Sequence, residues 1–355
     1  MSTTDGMTGD YDDHSQYQRD VARRGDALVA ESVDALALPD PPAPVVLVDL
    51  GAATGAGSAA LLGGAARAVR ARVPGRPVVC VHNDVLTNDW SQVFANVATA
   101  PGGYRDIDDP PVLPMASATS FFGPVVPLGS AHLEVSSSAA HWLREPATVA
   151  VPEGFYACEA TGAARRALAD QAAADWAAFV AARGEDLAPG GRLVVDCVGT
   201  EVGDGRDLVT AREVLATVAA AAAEMADEGL LDDDAVSRYV FPVYPRTVAE
   251  AEVPFLDEGC PLELLESRVD PVPNPYLERW RADSDAEAYA TDQAAFVRGF
   301  AESALRTGLL DAATPAADAD RLLDDLFARV RGRFAADPEA TAFRDWTLTV
   351  VAARR

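Results

Sequence analysis

Val45-Val46-Leu47-Val48-Asp49-Leu50 is a nearly unbroken apolar run carrying one carboxylate, the pattern of a parallel strand buried on both faces. A loop of small residues follows, and the spacing from Ser58 to Val73 then predicts a helix. Val78 to Val81 is a second buried run, leading into His82-Asn83-Asp84. Strand, glycine turn, helix and strand together make a β-α-β unit. Ahead of it, Val21, Leu28, Val29, Val33 and Leu36 recur on one face of a helix predicted over Gln16–Leu36, which the proline-rich stretch Pro39 to Pro44 ends. Farther on, Asp175 to Arg183 lies in an alanine-rich helix with Trp176 and Phe179, and Pro189-Gly190-Gly191 turns into a strand over Arg192 to Val198. Alternating buried strands and helices predict an α/β fold built on a doubly wound, mostly parallel sheet.

After Gly205 the pattern changes. A helix is predicted from Asp207 to Glu228, closed by Gly229, and a strandless region follows, punctuated by Pro242, Pro245, Pro254, Pro261, Pro271, Pro273 and Pro275. Helical periodicity returns over Ala286–Thr307 and Asp318–Phe334, before a last strand at Trp346–Ala352. The expected organisation is a disordered segment at 1–10, a nucleotide-binding sheet domain at 11–202, an inserted and mostly helical cap at 203–340, and a final strand within 341–355 that returns to the sheet.

Composition then narrows the chemistry. With 29 basic and 55 acidic side chains the chain carries −26 at pH 7, a field that repels phosphate backbones and anionic headgroups. Neither nucleic acid nor a membrane surface is an expected partner. All 29 basic residues are arginine, which excludes a P-loop lysine, Schiff-base and pyridoxal chemistry, and dehydrogenases that work through a lysine. Cys80, Cys158, Cys197 and Cys260 show no C-x-x-C spacing and are expected as small hydrophobes in a reducing compartment. Met1 to Asp10 is polar and lacks the basic-then-apolar order of a signal peptide, and no apolar stretch reaches spanning length without a charge or proline. A soluble, cytoplasmic protein is expected. His14, His82, His132 and His141 have no H-E-x-x-H or paired-cysteine companion and no G-x-S-x-G occurs, so neither a metal site nor a serine hydrolase is expected. The alanine and arginine bias, with Ile107 the single isoleucine, suggests a high-GC bacterial coding sequence.

The loop after the first strand, Gly51-Ala52-Ala53-Thr54-Gly55-Ala56-Gly57, has the spacing G-x-x-x-G-x-G. Small residues let the backbone approach a ligand, and the helix behind offers free N–H groups. The same spacing fits a purely structural turn. It also occurs in short-chain dehydrogenases, but those need a tyrosine-x-x-x-lysine pair. An acidic residue directly before the loop, here Asp49, suits S-adenosylmethionine (SAM), whose sulfonium and ammonium are positive. Asp84 ends the second strand, where a carboxylate can accept both ribose hydroxyls or cap a helix. Trp142, taken alone, reads more readily as core packing than as a ligand contact.

Several blocks share order and spacing with one family. Tyr11-Asp12-Asp13-His14-Ser15-Gln16-Tyr17-Gln18, Val48 to Gly55, Asn83 to Trp90, Ser120-Phe121-Phe122-Gly123 and Ser136 to Leu143 resemble the SABATH methyltransferases, the salicylate, benzoate and theobromine methyltransferase family. Pro189 to Arg192, Glu228 to Leu231 and Pro242 to Thr247 extend the likeness into the cap. The resemblance implies a Rossmann-like class I methyltransferase sheet with a helical cap, SAM as cofactor, and a homodimer. It implies cofactor contacts from Ser15, Asp49, Gly51, Gly55, Asp84, Val85, Ser120 and Phe121. It places Gln18 and Trp142 on the substrate carboxylate, and Tyr11, Ser138 and His141 in the substrate pocket. The sequence also departs from the family. His14 replaces an asparagine, Ala52-Ala53-Thr54 replaces Cys-Ser-Ser, Gly57 stands where an asparagine is common, and Ser138 where a tyrosine is common. The last change is expected to enlarge the pocket.

The expected activity is methyl transfer from SAM to the carboxylate of a small lipophilic acid, aromatic, indolic or medium-chain fatty. Such a group, with a pKa near ~4 to 5, is already ionised and needs no general base. Trp142 and Gln18 would hold one oxygen and leave the other aimed at the methyl, and His141 would be a third donor or a pocket wall. Two alternatives stay open at this stage: an N- or phenol O-methyltransferase with His141 as base, and a SAM-binding protein without catalysis.

Overall fold

The structure, a computed structural model, describes residues 27–147, 149–151 and 154–355. Among these, seven strands form one sheet in the order β3-β2-β1-β4-β5-β9-β8. The strands β1 (Val45–Leu50), β2 (Val78–Asp84), β3 (Leu113–Ala118), β4 (Ala131–Ser137) and β5 (Leu187–Val198) run parallel. β9 (Asp345–Arg354) enters antiparallel between β5 and the edge strand β8 (Leu262–Val272). The expected Rossmann-like methyltransferase sheet is therefore present.

The two faces of the sheet fill as the apolar runs demand. Leu47, Cys80, Leu133 and Val135 pack against helical residues 27–34 (α1), α2 (Ala56–Arg72) and α3 (Trp90–Thr99). Val48, Leu50, Val195, Cys197, Leu348 and Val350 pack on the other face against Trp176, Phe179 and Val180 of α4 (Gly162–Asp186), with Ala251 of α7 (Val248–Glu252). Cys80 and Cys197 are buried free thiols in their strands, as the apolar context suggests. No helix among the described residues is long and apolar enough to cross a membrane.

A separate core builds the cap. It joins Val214, Val218 and Met225 of α5 (Arg212–Asp227), Tyr289, Phe296 and Val297 of α9 (Ala286–Leu309), Phe327, Val330 and Phe334 of α10 (Ala316–Ala336), and Tyr276 of α8 (Pro275–Asp283). Local signals set its ends. Gly229 sits at φ 73° after α5, and the N–H groups of Gly229 and Leu230 return to the carbonyls of Ala226 and Met225, the left-handed closure glycine permits. Asn274 accepts from the N–H groups of Tyr276 and Leu277 and starts α8, and Asp285 does the same for α9 through Ala288.

The strandless reading of the proline-rich stretch is corrected. β8 lies inside it and pairs with β9 along its length. Its sequence, Leu-Glu-Leu-Leu-Glu-Ser-Arg-Val-Asp-Pro-Val, hides it because an edge strand is half solvated, carries charge, and tolerates a proline and a bulge. So the 203–340 stretch is not all cap; it lends one strand to the sheet. α5 begins later than predicted, at Arg212, since Leu208–Val209 (β7) pairs with Thr200–Glu201 (β6). β3 and β4 carried no clear periodicity. β4 buries His132 and Glu134, polar residues that break its apolar run while His132 Nδ1 accepts from Val46 N–H at 3.1 Å and Glu134 pairs with Arg183 at 3.3 Å.

Candidate active site

The chain order places β1 beside β4, with β2 and β3 to one side and β5 to the other. Between β1 and β4 the winding reverses, and ligands of such sheets bind outside the C-terminal strand ends at that point. The glycine loop leaves β1 there, and Ser138 to Trp142 leaves β4. The two loops touch: a Cβ on Gly51, which sits at φ 98°, would lie 2.4 Å from Ala139 Cβ. Gly55, at φ 93°, would likewise meet the Val93 carbonyl at 2.7 Å. Both glycines are thus demanded by the backbone and by neighbouring protein, and they bring the loops together. Gly51→Ala is expected to cost ~2 to 4 kcal/mol from left-handed strain plus overpacking, read as a lower unfolding midpoint together with weaker S-adenosylhomocysteine (SAH) binding.

Asp84 locks the loop from β2. Its Oδ2 accepts from Ala53 N–H and its Oδ1 from Val85 N–H, each at 2.7 Å. Burial pushes its carboxyl up, and these two backbone bonds oppose the rise. Asp49 is buried, and burial drives its carboxyl up to about 7; a hydrogen bond from Ser58 opposes this and the Asp84 charge adds to it. The charge that Asp49 feels is thus another carboxylate, an arrangement a cationic ligand relieves. This donor set fits SAM, whose ammonium and ribose hydroxyls want carboxylate acceptors.

Asparagines finish the mould. The Asn83 carbonyl accepts from both Gly51 and Ala52 N–H, and its side chain donates to Ser117 O and Thr119 O at 2.8 Å each, tying down the turn to Ser120. Asn88 donates to Ala53 O at 2.8 Å and Asn96 to Thr54 O at 2.9 Å. These anchoring roles were not read from the sequence, although Asn83 and Asn88 stand in a block that matched the family. Ser120 Oγ accepts from Phe122 N–H at 3.4 Å, and Phe121 packs edge-on against Phe179 of α4 at 5.7 Å. Val85 is half-buried beyond Asp84, and Gly57 is exposed with open space about it.

Beyond β4, Ser138 adopts φ 57° and its N–H donates to Asp196 O at 2.7 Å. His141 is buried, with its Nδ1 accepting from Val198 N–H at 3.4 Å. Burial, with Arg246 nearby, lowers its pKa to about 3. Trp142 is half-buried; it bridges to Val243 and packs 5.7 Å from Phe241, which stands 6.2 Å from Phe300. Phe300 in turn contacts Phe296 at 5.4 Å and Phe343 at 6.3 Å, an aromatic cluster of the cap core. Arg246 holds this loop from behind: its guanidinium donates to Ala140 O at 3.0 Å and Ala172 O at 3.3 Å and lies over Trp176. The signal that could have found its anchor is Thr247-x-x-Glu250, a capping box that starts α7 immediately after it. Tyr11, His14, Ser15 and Gln18, like segment 1–10 and the first part of the Gln16–Leu36 helix, lie outside the described residues.

A family described as SAM dependent carboxyl methyltransferase matches this chain over residues 1–354. The chain belongs to that family, the SABATH methyltransferases. It is a SAM-dependent methyltransferase. O-methyltransferase acrG of Aspergillus aculeatus is 30% identical over 283 residues, covering 75% of this chain and 73% of the fungal one. A probable 7-methylxanthine methyltransferase of Theobroma cacao is 26% identical over 187 residues, half of each chain. Among solved structures, a loganic acid methyltransferase with SAH superimposes with a TM-score of 0.79 at 18% identity, covering 99% of both chains. That likeness is one of fold, and it spans both chains almost entirely.

Proposed function

We propose that this SABATH methyltransferase transfers the SAM methyl group to the carboxylate of a small lipophilic acid, giving a methyl ester. The observation that carries the reading is His141. It stands next to Trp142, yet it is buried, its Nδ1 already accepts from Val198 N–H, and burial lowers its pKa to about 3, which makes it a weak base towards a phenol or ring N–H. A carboxylate brings its own negative charge. When bound, SAM supplies a methyl group on a positive sulfonium. The protein's work is then placement, which can lower a barrier by on the order of 7 to 11 kcal/mol. No acceptor for the Trp142 indole N–H is recorded among the described residues, which suits donation to one carboxylate oxygen, with Gln18 as its expected companion. The cluster of Phe241, Phe300, Phe296 and Phe343 suits an aromatic or otherwise apolar body. Asp49, Asp84, Ser120 and Phe121 would hold the cofactor, with Ser138 and Tyr11 lining the pocket.

The test is a mass-spectrometric screen with SAM against aromatic, indolic and medium-chain fatty acids. Trp142→Phe keeps a ring and removes the N–H, so it should lower kcat/KM by about tenfold for the acid found, a loss of ~1.5 kcal/mol, and leave SAH affinity unchanged. At saturating SAM the rate should be flat from about pH 6 to 9, because the acid is ionised throughout. The xanthine methyltransferase among the relatives favours a second reading, ring-nitrogen methylation. Including xanthines in the screen decides it: product from xanthines and none from any acid overturns the carboxylate reading.

A further inference from the structure

Behind Asp49 runs a chain of buried polar side chains that the methyl-transfer chemistry does not use. Asp49 and His82 are register partners on β1 and β2 and share the sheet face that packs on α2. Ser58, in the first turns of α2, hydrogen-bonds Asp49 and lies 2.6 Å from His82 Nδ1. His82 Nε2 lies 2.7 Å from the Tyr104 hydroxyl. All four side chains are buried.

With Asp49 ionised, the direction of each proton follows. An ionised carboxylate only accepts, so the Ser58 O–H donates to Asp49. Ser58 Oγ can then only accept from His82, which puts the imidazole hydrogen on Nδ1. Burial lowers the His82 pKa to about 4, so the ring is neutral and Nε2 accepts from the Tyr104 O–H. We propose that Ser58, His82 and Tyr104 form a positioning relay that aims the Asp49 carboxylate at the positive end of the cofactor and favours its ionised form. The inference rests on Asp49 being a cofactor ligand. The groups facing Asp49 are Ser58 from α2 and Asp84 and His82 from β2, while its β4 register partner is Val135. Of these, Asp84 opposes ionisation and the relay favours it.

SAH affinity, measured by calorimetry from pH 5.5 to 8.5, tests the relay on the full-length protein, with thermal melting of each variant as the check on folding. Asp49 must be ionised to hold the cofactor ammonium, so affinity is full above its pKa and falls as pH drops through it. Ser58→Ala removes the bond that lowers this pKa. It should weaken SAH binding about tenfold at neutral pH and move the midpoint upward. His82→Leu should act similarly. His82→Asn can still donate to Ser58 through its amide and should restore most of the affinity that His82→Leu loses, whereas Tyr104→Phe frees His82 Nε2 and should weaken binding about threefold in the same direction. Asp49→Asn separates the two levels of the argument. If it binds SAH normally, Asp49 is not a cofactor ligand and the relay has no target. If it binds weakly while Ser58→Ala and His82→Leu bind normally, or bind weakly with an unmoved midpoint, the relay alone is overturned.

Discussion

Asp84→Asn is expected to weaken SAH binding by about a hundredfold, close to 2.8 kcal/mol. Two losses add. The cofactor's hydroxyls lose a charged acceptor, worth ~1.5 to 3 kcal/mol. The protein also loses a clamp, since both carboxylate oxygens already receive backbone N–H groups, from Ala53 and Val85. An asparagine offers one oxygen and one NH2, so whichever way it turns, one of those N–H donors meets another donor. The glycine loop is then released on one side. Calorimetry with SAH gives the affinity, and the unfolding midpoint without ligand gives the cost of the clamp. Unchanged affinity would remove Asp84 from the cofactor site.

The cofactor side was legible in the sequence because its parts are local. An apolar run, a carboxylate, a glycine loop and a helix follow within one stretch, Val45 to Arg72, and the second strand repeats the pattern with Asp84. What periodicity alone could not decide was whether the loop served a ligand or merely turned the chain. The structure supplies the structural half of the answer, since Gly51 and Gly55 are required by contacts with Ala139 and Val93, the first of which joins the loops after β1 and β4.

The proposed substrate side rests on family likeness. Trp142 gains its place from a bridge to Val243 and from Phe241 and Phe300, residues far along the chain, and no local pattern encodes such a meeting. His141 shows the same limit. Its neighbourhood in sequence left donor, base and wall open, whereas burial and the Val198 N–H weaken it as a base. The buried polar residues of β4 and the charged edge strand β8 escaped for a common reason: each satisfies its polar groups through partners that appear only on folding.

Arg246→Ala is expected to destabilise the protein by about 3 kcal/mol and to cut turnover with it. Arg246 is 2% exposed, and its guanidinium donates to the carbonyls of Ala140 and Ala172 and lies 5.1 Å from the Trp176 ring centroid. Removal leaves the Ala140 carbonyl unpaired, at ~1 to 3 kcal/mol, takes a second donor from the Ala172 carbonyl, which keeps its partner within the helix α4, and forfeits a cation–π contact of about 1 kcal/mol. Against this stands relief, because burying a cation against carbonyls rather than a carboxylate is itself costly and depresses its pKa. The difference sets the figure. Arg246→Met isolates the opposing effects: it keeps the length and apolar bulk of the stem without the charge. If relief dominates, Met is neutral or stabilising; if the carbonyls dominate, as the two bonds at 3.0 and 3.3 Å indicate, Met still costs about 1 to 2 kcal/mol. Kinetics add a second readout. Ala140 lies two residues before Trp142, so loss of its anchor should lower kcat/KM for the acid by more than it lowers SAH affinity. A Met variant with normal stability and normal kcat/KM would show that the Trp142 loop holds its place without Arg246.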